Sequence, residues 1–419
     1  MLRVLRRRDF ALLWFAGLIS IVGDWMLSVA LPIAVYRLTD SAVATGGLVV
    51  ARLLPSLLLG SVAGVFVDRW DRKRTMVLVN LLRAPTLLLL PLVDSAGEVW
   101  IVFVVAFVGS ALGQFFGPAE NALLPTLVGE EDLIPANALN ILNNNLARLI
   151  GPALGGVVAG WYGLGGVAAA DSATFLVAAA LIALIASPAR PHRGAPKEAS
   201  VGGRWRALRE EWIGGMRVIR RSRGLGIVFA VSAISGFGEG LISAAFPVYV
   251  TDVLDGGARE AGWLMSGQAI GGFIGAFFVG SWAKRMPPLR LFAWGAIGTG
   301  AIDLLIFTYP SVLSAGVWLG VALFVVVGLP ITGFLTGGMT ALQSETDDAH
   351  RGRVFGALNT TMAFLMIVSA AIAGFATDRF GAMAVLSFDS LAYVVSGLVA
   401  LRLIGGAAVA RSARSTAAT

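Results

Sequence analysis

Apolar stretches about as long as a bilayer is thick follow one another along this chain, separated by short polar breaks. A spanning helix needs about 20 mostly apolar residues. Twelve stretches qualify, at 10–36, 42–67, 75–94, 99–127, 135–160 and 166–187, then 225–251, 260–283, 289–309, 312–342, 354–377 and 383–404. The pattern predicts an all-α membrane protein of twelve transmembrane helices. Residues 188–224 are the one long polar connector. The expected organisation is a six-helix half at 1–187, a linker at 188–224, a second six-helix half at 225–405 and a tail at 406–419. The opening apolar run is too long for a cleaved signal peptide and no small-x-small cleavage site follows it.

Composition agrees with the pattern. Of 419 residues 57% are hydrophobic and 14% charged, with mean hydropathy +0.81, against about 25% charged in soluble proteins. A soluble chain this apolar lacks the polar side chains to cover its surface. Cysteine is absent, which excludes disulfides and thiolate metal centres. The two histidines, His192 and His350, lie in polar stretches, so no buried histidine metal site is expected. Lys73, Lys197 and Lys284 precede Arg74, Glu198 and Arg285. No phosphate-binding loop ending in Lys-Ser or Lys-Thr exists, and neither ATP nor any other cofactor is expected.

The net charge of +7 is explained by where the charges lie. With the N-terminus in the cytoplasm, 26 of the 32 basic residues fall in the termini, the inner loops and the inner ends of spans. Arg37, Arg259 and Arg379 fall in outer loops, and Arg52, Arg83 and Arg148 inside spans. This positive-inside bias puts both termini in the cytoplasm of a cell-membrane protein and removes any need for nucleic acid. Within the connector, Trp205, Leu208, Trp212, Ile213, Met216 and Ile219 recur at helical spacing among basic residues. They predict an amphipathic helix on the cytoplasmic leaflet, with a solvated linker helix as the alternative.

The halves are related. Gly23-Asp24 matches Gly238-Glu239, and Pro32 matches Pro247, at an offset of 215. Gly64, Asp68 and Arg69 match Gly280, Lys284 and Arg285 at 216. Gly163 and Asp171-Ser172 match Gly381 and Asp389-Ser390 at 218. Six spans per repeat make the repeats parallel, an arrangement found in transporters with a mid-membrane substrate site.

Between spans two and three, Gly64-Val65-Phe66-Val67-Asp68-Arg69-Trp70-Asp71-Arg72-Lys73-Arg74 resembles the loop motif of the major facilitator superfamily. Asp71 stands where that family usually has glycine. The glycine suggests close helix approach, and the carboxylate and basic residues suggest contacts that break and reform. The resemblance makes Gly64, Asp68, Arg69, Arg72 and Lys73 gating residues. Span five carries Gly151-Pro152-Ala153-Leu154-Gly155-Gly156. It resembles the superfamily's antiporter motif, which implies export and assigns Gly151, Pro152, Gly155 and Gly156 to that helix; plain helix packing is the alternative. The superfamily's Arg-x-x-Gln-Gly of span four is absent, because Phe107 to Gln114 contains no arginine. Arg8-Asp9-Phe10, Gly23-Asp24-Trp25 and Leu38-Thr39-Asp40-Ser41 are similar to the branch of enterobactin exporters and macrolide efflux proteins.

Charges in mid-bilayer cost on the order of 3 kcal/mol each on an insertion scale. Those well inside spans are Asp24, Arg52, Arg83, Glu120, Arg148, Glu239 and Asp303. Asp24 and Glu239 are repeat-related, lie on stripes with Ser20 and Ser28 or Ser235 and Ser243, and sit on spans that line the cavity in the resembled family. They are the candidates for proton coupling, and an Asp24–Arg148 salt bridge is the structural alternative. Gln114 and Asn121 share a face of span four and are candidates to bond substrate, with simple interhelical bonding as the alternative. Glu120 is expected to pair with Arg72 or Lys73. Arg83 and Asp303 are expected to be structural, and Asp171 and Asp389 to cap the starts of spans six and twelve.

The expectation is a secondary transporter that exports an organic solute, drug-, macrolide- or siderophore-like, by proton antiport and alternating access. Its partners would be that small molecule, protons and the bilayer, and it would act as a monomer. An importer or uniporter of the same fold, or a receptor on a transporter scaffold, remains open at this point.

Overall fold

The computed structural model describes residues 2–186, 201–282, 284–313 and 315–416. After a single turn at Leu2–Leu5, the helices are α1 (Arg8–Thr39), α2 (Ala42–Arg69), α3 (Arg72–Leu87), α4 (Val99–Val128) and α5 (Leu133–Ala183). Then come α6 (Val201–Ile219), α7 (Arg223–Val248), α8 (Ala258–Trp282), α9 (Pro288–Thr308), α10 (Gly316–Ser344), α11 (Asp348–Phe380) and α12 (Ala382–Thr416). No strand occurs among the described residues.

Among the described residues eleven helices are long and apolar enough to cross a membrane. One of them, Glu130–Ala183, has 54 residues, roughly 80 Å at the helical rise and more than two bilayer cores. It breaks at Gly163, whose φ of 65° and ψ of −165° are open to glycine. The two arms supply spans five and six, giving twelve. Gly381 makes the corresponding break between α11 and α12 with φ 82° and ψ 154°. Asp40 and Asp255 also correspond, and both are left-handed, with φ of 49° and 50°.

Two compact units result. One comprises 1–201 and 250–266; the other comprises 202–249 and 267–419. The division differs from a cut at the connector, because residues 250–266 cluster with the first unit. Within that unit the Tyr36 hydroxyl donates to Asp252 at 2.5 Å and Arg37 donates to the Gly256 carbonyl at 2.9 Å. The first unit's cores gather Phe10, Leu13, Met76, Leu123 and Ile182, and separately Leu48, Leu90, Val102 and Phe175. The second unit's core gathers Leu225, Phe292, Phe334, Val354 and Tyr393. Large apolar side chains such as Trp100, Phe277 and Phe388 remain exposed, as expected where the solvent is hydrocarbon.

On the connector helix Ile219 is buried in the second unit's core with Met216 packed against it, and the Trp212 indole donates to Thr361 on α11 at 3.1 Å. Trp212 and Ile213 themselves remain exposed. Residues 187–200 and the side chains of Trp205 and Leu208 lie outside the described residues.

Candidate functional site: two intramembrane carboxylate centres

In the first unit α1, α3 and the second arm of α5 converge. Arg83 on α3 grips Asp24 on α1, with Nη2 to Oδ1 at 2.6 Å and Nη1 to Oδ2 at 3.4 Å. The guanidinium stacks on Phe175 of α5, 4.1 Å from the ring centroid. Asp171, one turn before Phe175, is fully buried. Its Oδ1 lies 2.0 Å from where a Cβ on Gly23 would stand, so only glycine leaves room for it there. That oxygen also accepts from the Thr174 hydroxyl at 3.0 Å. Asp171 lies in the electrostatic field of both Asp24 and Arg83, and Arg52 feels the same two groups. The arms are pinned by Ser172, which donates to the Ala84 carbonyl at 2.9 Å.

This arrangement revises two readings. The arginine that pairs with Asp24 is Arg83, not Arg148, whose guanidinium stands 6.0 Å from the Trp25 ring. Asp171 does not cap a helix start, because the chain resumes its helix directly after Gly163 and carries Asp171 two turns into it. A glycine followed by an acid on span one (Gly23-Asp24, Gly238-Glu239 in the other half) and an Asp on span six (Asp171, Asp389) were the available signal.

The second unit has the corresponding seat. Asp389 on α12 places Oδ1 2.0 Å from a Cβ on Gly238 of α7. It too lies within its helix, not at the start. Asp303 on α9 is buried and shares the electrostatic neighbourhood of Asp389 and Glu239. Gly300 lets α9 approach α12, where its Cβ would stand 2.4 Å from the Ser390 carbonyl. Tyr393 closes the group with a 2.6 Å hydroxyl contact to Ser235.

Two of the loop-motif residues tie α3 to the rest of the first unit. Arg72 donates to the Ala122 carbonyl at 2.7 Å and Lys73 to the Ile185 carbonyl at 2.6 Å. They hold backbone carbonyls of α4 and of the chain after α5, not the Glu120 carboxylate. Asp71, the departure from the motif, caps α3 by accepting from the Arg74 amide at 2.9 Å. Arg69 is exposed. A Cβ at Gly64 would meet nothing within 4 Å among the described residues, so no close approach there requires glycine. The Asp68 side chain lies outside the described residues.

Gly151 and Gly155 let α5 lie on α1: Cβ atoms there would stand 2.4 Å from Trp25 Cβ and 2.5 Å from Met26 Cα. Gly156 faces residues 258–259, with the Ala258 carbonyl 2.8 Å from its would-be Cβ. Pro152 is buried and removes one helical donor; the adjacent Leu149 carbonyl accepts from Ser266 at 3.0 Å. Gln114 bonds its own helix at the Ser110 carbonyl, 3.3 Å away, and Asn121 is exposed.

Parallel six-helix repeats with carboxylate centres inside their spans define a transporter of the major facilitator class. A family model described as "Transmembrane secretion effector" matches residues 2–414, and the chain belongs to that family. Macrolide efflux protein A of Streptococcus pyogenes is 27% identical over 89% of this chain and 90% of that protein. Multidrug efflux pump Tap of Mycobacterium tuberculosis is 29% identical over 94% of this chain and 92% of that protein. A bacterial homologue of the iron transporter ferroportin shares the fold at TM-score 0.74 and 14% identity, over 94% and 98% of the two chains. The nucleoside transporter NupG does so at 0.71 and 13%, over 94% and 99%. The chain is therefore a multi-pass membrane protein of an efflux-transporter family, a family of transporters and not of enzymes.

Proposed function

We propose that this transporter expels a drug-like organic solute from the cytoplasm in exchange for entering protons. The carrying observation is the Asp24–Arg83 pair: an acid held by an arginine inside apolar helices, with 39% of the Asp24 side chain still accessible. A buried charge must be paired or face water, and a pair that is half open is positioned to exchange its partner. Efflux names among the relatives support the direction. The glycines of Gly151 to Gly156 support a tightly packed α1–α5 unit that moves as one body. In this reading both termini face the cytoplasm, Glu239 and Arg148 take part in coupling, and Gln114 and Asn121 offer amides to substrate.

The test is transport by the purified protein in liposomes against a panel of a macrolide, lipophilic cationic dyes and a siderophore. An imposed proton gradient should drive at least one of them uphill, and collapse of the gradient should stop it. Uphill movement that ignores the gradient, or movement only down the solute's own gradient, would replace antiport with another coupling or with a uniporter. Single cysteines in this cysteine-free chain test orientation: position 200 should resist an impermeant reagent in intact cells.

A further inference from the structure

Two atoms of the first unit's centre are left over once its ion pair is made. Asp171 Oδ2 is buried and has no hydrogen-bond partner, and neither has Arg83 Nε. Asp171 is fully buried, away from bulk water in this arrangement. An ionised carboxylate with a bare oxygen in an apolar core is far costlier than a neutral carboxyl with an idle hydroxyl. The charged groups facing it are Asp24 from α1 and Arg83 from α3, with Arg52 of α2 close to both. Its own helix presents Thr174. The one acid of α4, Glu120, lies toward the end where Arg72 binds Ala122.

We propose that Asp171 carries the transported proton, and that the Arg83 guanidinium is shared in turn between Asp24 and Asp171, so that the solute recognised at Asp24 is a monocation. The inference rests on the proton-antiport reading above. With Arg83 on Asp24, the neutral state holds a proton on Asp171. A cationic solute arriving from the cytoplasm takes Asp24, the guanidinium turns to Asp171, and the proton leaves Asp171 to cytoplasmic water. When the site opens outward, a proton returns to Asp171, Arg83 returns to Asp24, and the cation is expelled. One proton enters for each cation that leaves, and the centre is neutral in both states: Asp24⁻·Arg83⁺ with Asp171–H, then Asp24⁻·cation⁺ with Arg83⁺·Asp171⁻. Ser172 and Phe175, which follow Asp171 on α5, hold that helix against α3 and the Arg83 guanidinium.

The test is binding of tetraphenylphosphonium, a plain monocation, to the full-length protein in detergent as a function of pH. Proton and cation compete through Arg83, so affinity should rise at least tenfold from acid to alkaline pH. Asp171→Asn imitates the protonated state; it should bind as weakly as the acid-side wild type, with no pH dependence, while melting at the wild-type temperature. Full pH dependence in Asp171→Asn would overturn the proposal. Should that variant fail to fold, Asp171→Glu decides: it keeps a titrating carboxyl and should shift the midpoint, and an unshifted midpoint overturns the assignment. Liposome transport separates the two readings. Gradient-driven efflux that survives Asp171→Asn refutes the site and keeps antiport. Wild-type protein that shows the Asp171-dependent binding profile but no gradient-driven efflux keeps the site and refutes antiport.

Discussion

Asp171 rests on Gly23 in the first unit and Asp389 rests on Gly238 in the second, with the same 2.0 Å clearance to the missing Cβ. Around that shared seat the two units have diverged. Arg83 of α3 corresponds, at the motif-loop offset of 216, to Thr299 of α9, a buried residue whose hydroxyl has no hydrogen-bond partner. Phe175, which stacks on Arg83, corresponds to Tyr393, which instead bonds Ser235. One turn beyond Thr299 stands Asp303, where the first unit has Leu87. The backbone seat thus survived duplication because it is steric: a glycine on one helix receives an aspartate from another. The charge around it is not bound by the fold, since any side chain that keeps its neighbours satisfied fits. One unit holds an acid–arginine pair, the other an acid-rich group closed by hydroxyls.

The largest effect follows from packing that the repeats solve in opposite ways. In the first unit Trp25 on α1 faces Gly151 on α5; in the second the corresponding residues are Gly240 on α7 and Ser369 on α11, whose Oγ stands 2.1 Å from a Cβ on Gly240. The bulk has changed sides. Gly151→Ser should therefore remove most folded protein, since Trp25 Cβ and the Val22 carbonyl already occupy the space; overpacking costs about 1–3 kcal/mol where neighbours can yield, and backbone yields least. Ser369→Gly should cost only about 1 kcal/mol, the ordinary penalty for glycine within a helix. Thermal melts followed by size exclusion measure both. Equal losses would mean that the two interfaces are not complementary in this way.

Next in size is the ion pair. Breaking a buried pair costs about 3–5 kcal/mol, and the partial exposure of Asp24 reduces that. Arg83→Gln should lower stability by about 2 kcal/mol, and adding Asp24→Asn should recover most of it, because the stranded charge is then gone. Arg148→Gln should leave Asp24 held. A smaller effect distinguishes the second unit. Tyr393→Phe gives it the ring of Phe175 without the hydroxyl, at a cost of about 1 kcal/mol for the lost bond to Ser235. A larger loss would show that the hydroxyl supports Asp389 as well.

The residues themselves explain what could be read from sequence. The spans were legible because a helix that crosses hydrocarbon must be long and apolar, and the breaks at Gly163 and Gly381 because they recur at one offset. Asp24 was legible as a charge in lipid, but its partner was not. Arg83 and Arg148 are both within spans, and which of them meets α1 depends on helix rotation and tilt, which an evenly apolar helix does not encode. Asp171 was misplaced for a related reason: a glycine break lets one helix follow another without a polar loop, so the apparent start of span six lies too late. Arg72 and Lys73 reach backbone carbonyls instead of the Glu120 carboxylate, and backbone carbonyls leave no mark in a sequence.

The smallest difference lies where the third span of each unit begins. Asp71 caps α3 with its carboxylate on the Arg74 amide at 2.9 Å, while the corresponding residue, Pro287, starts α9 with Pro288 in the first turn. Each solves the same problem, since the first amides of a helix have no partner within it. A side-chain cap satisfies one amide; a proline removes one and fixes φ for the turn. The superfamily's motif has glycine at the place of Asp71, and glycine is itself a tolerable cap. Asp71→Gly should therefore cost only a few tenths of a kcal/mol, and Asp71→Ala about 1 kcal/mol. The ordering matters more than the size. If Asp71 serves only as a cap, alanine is worse than glycine in melting temperature and both transport normally. If its carboxylate also takes part in gating, glycine and alanine lose transport alike, whatever their stability.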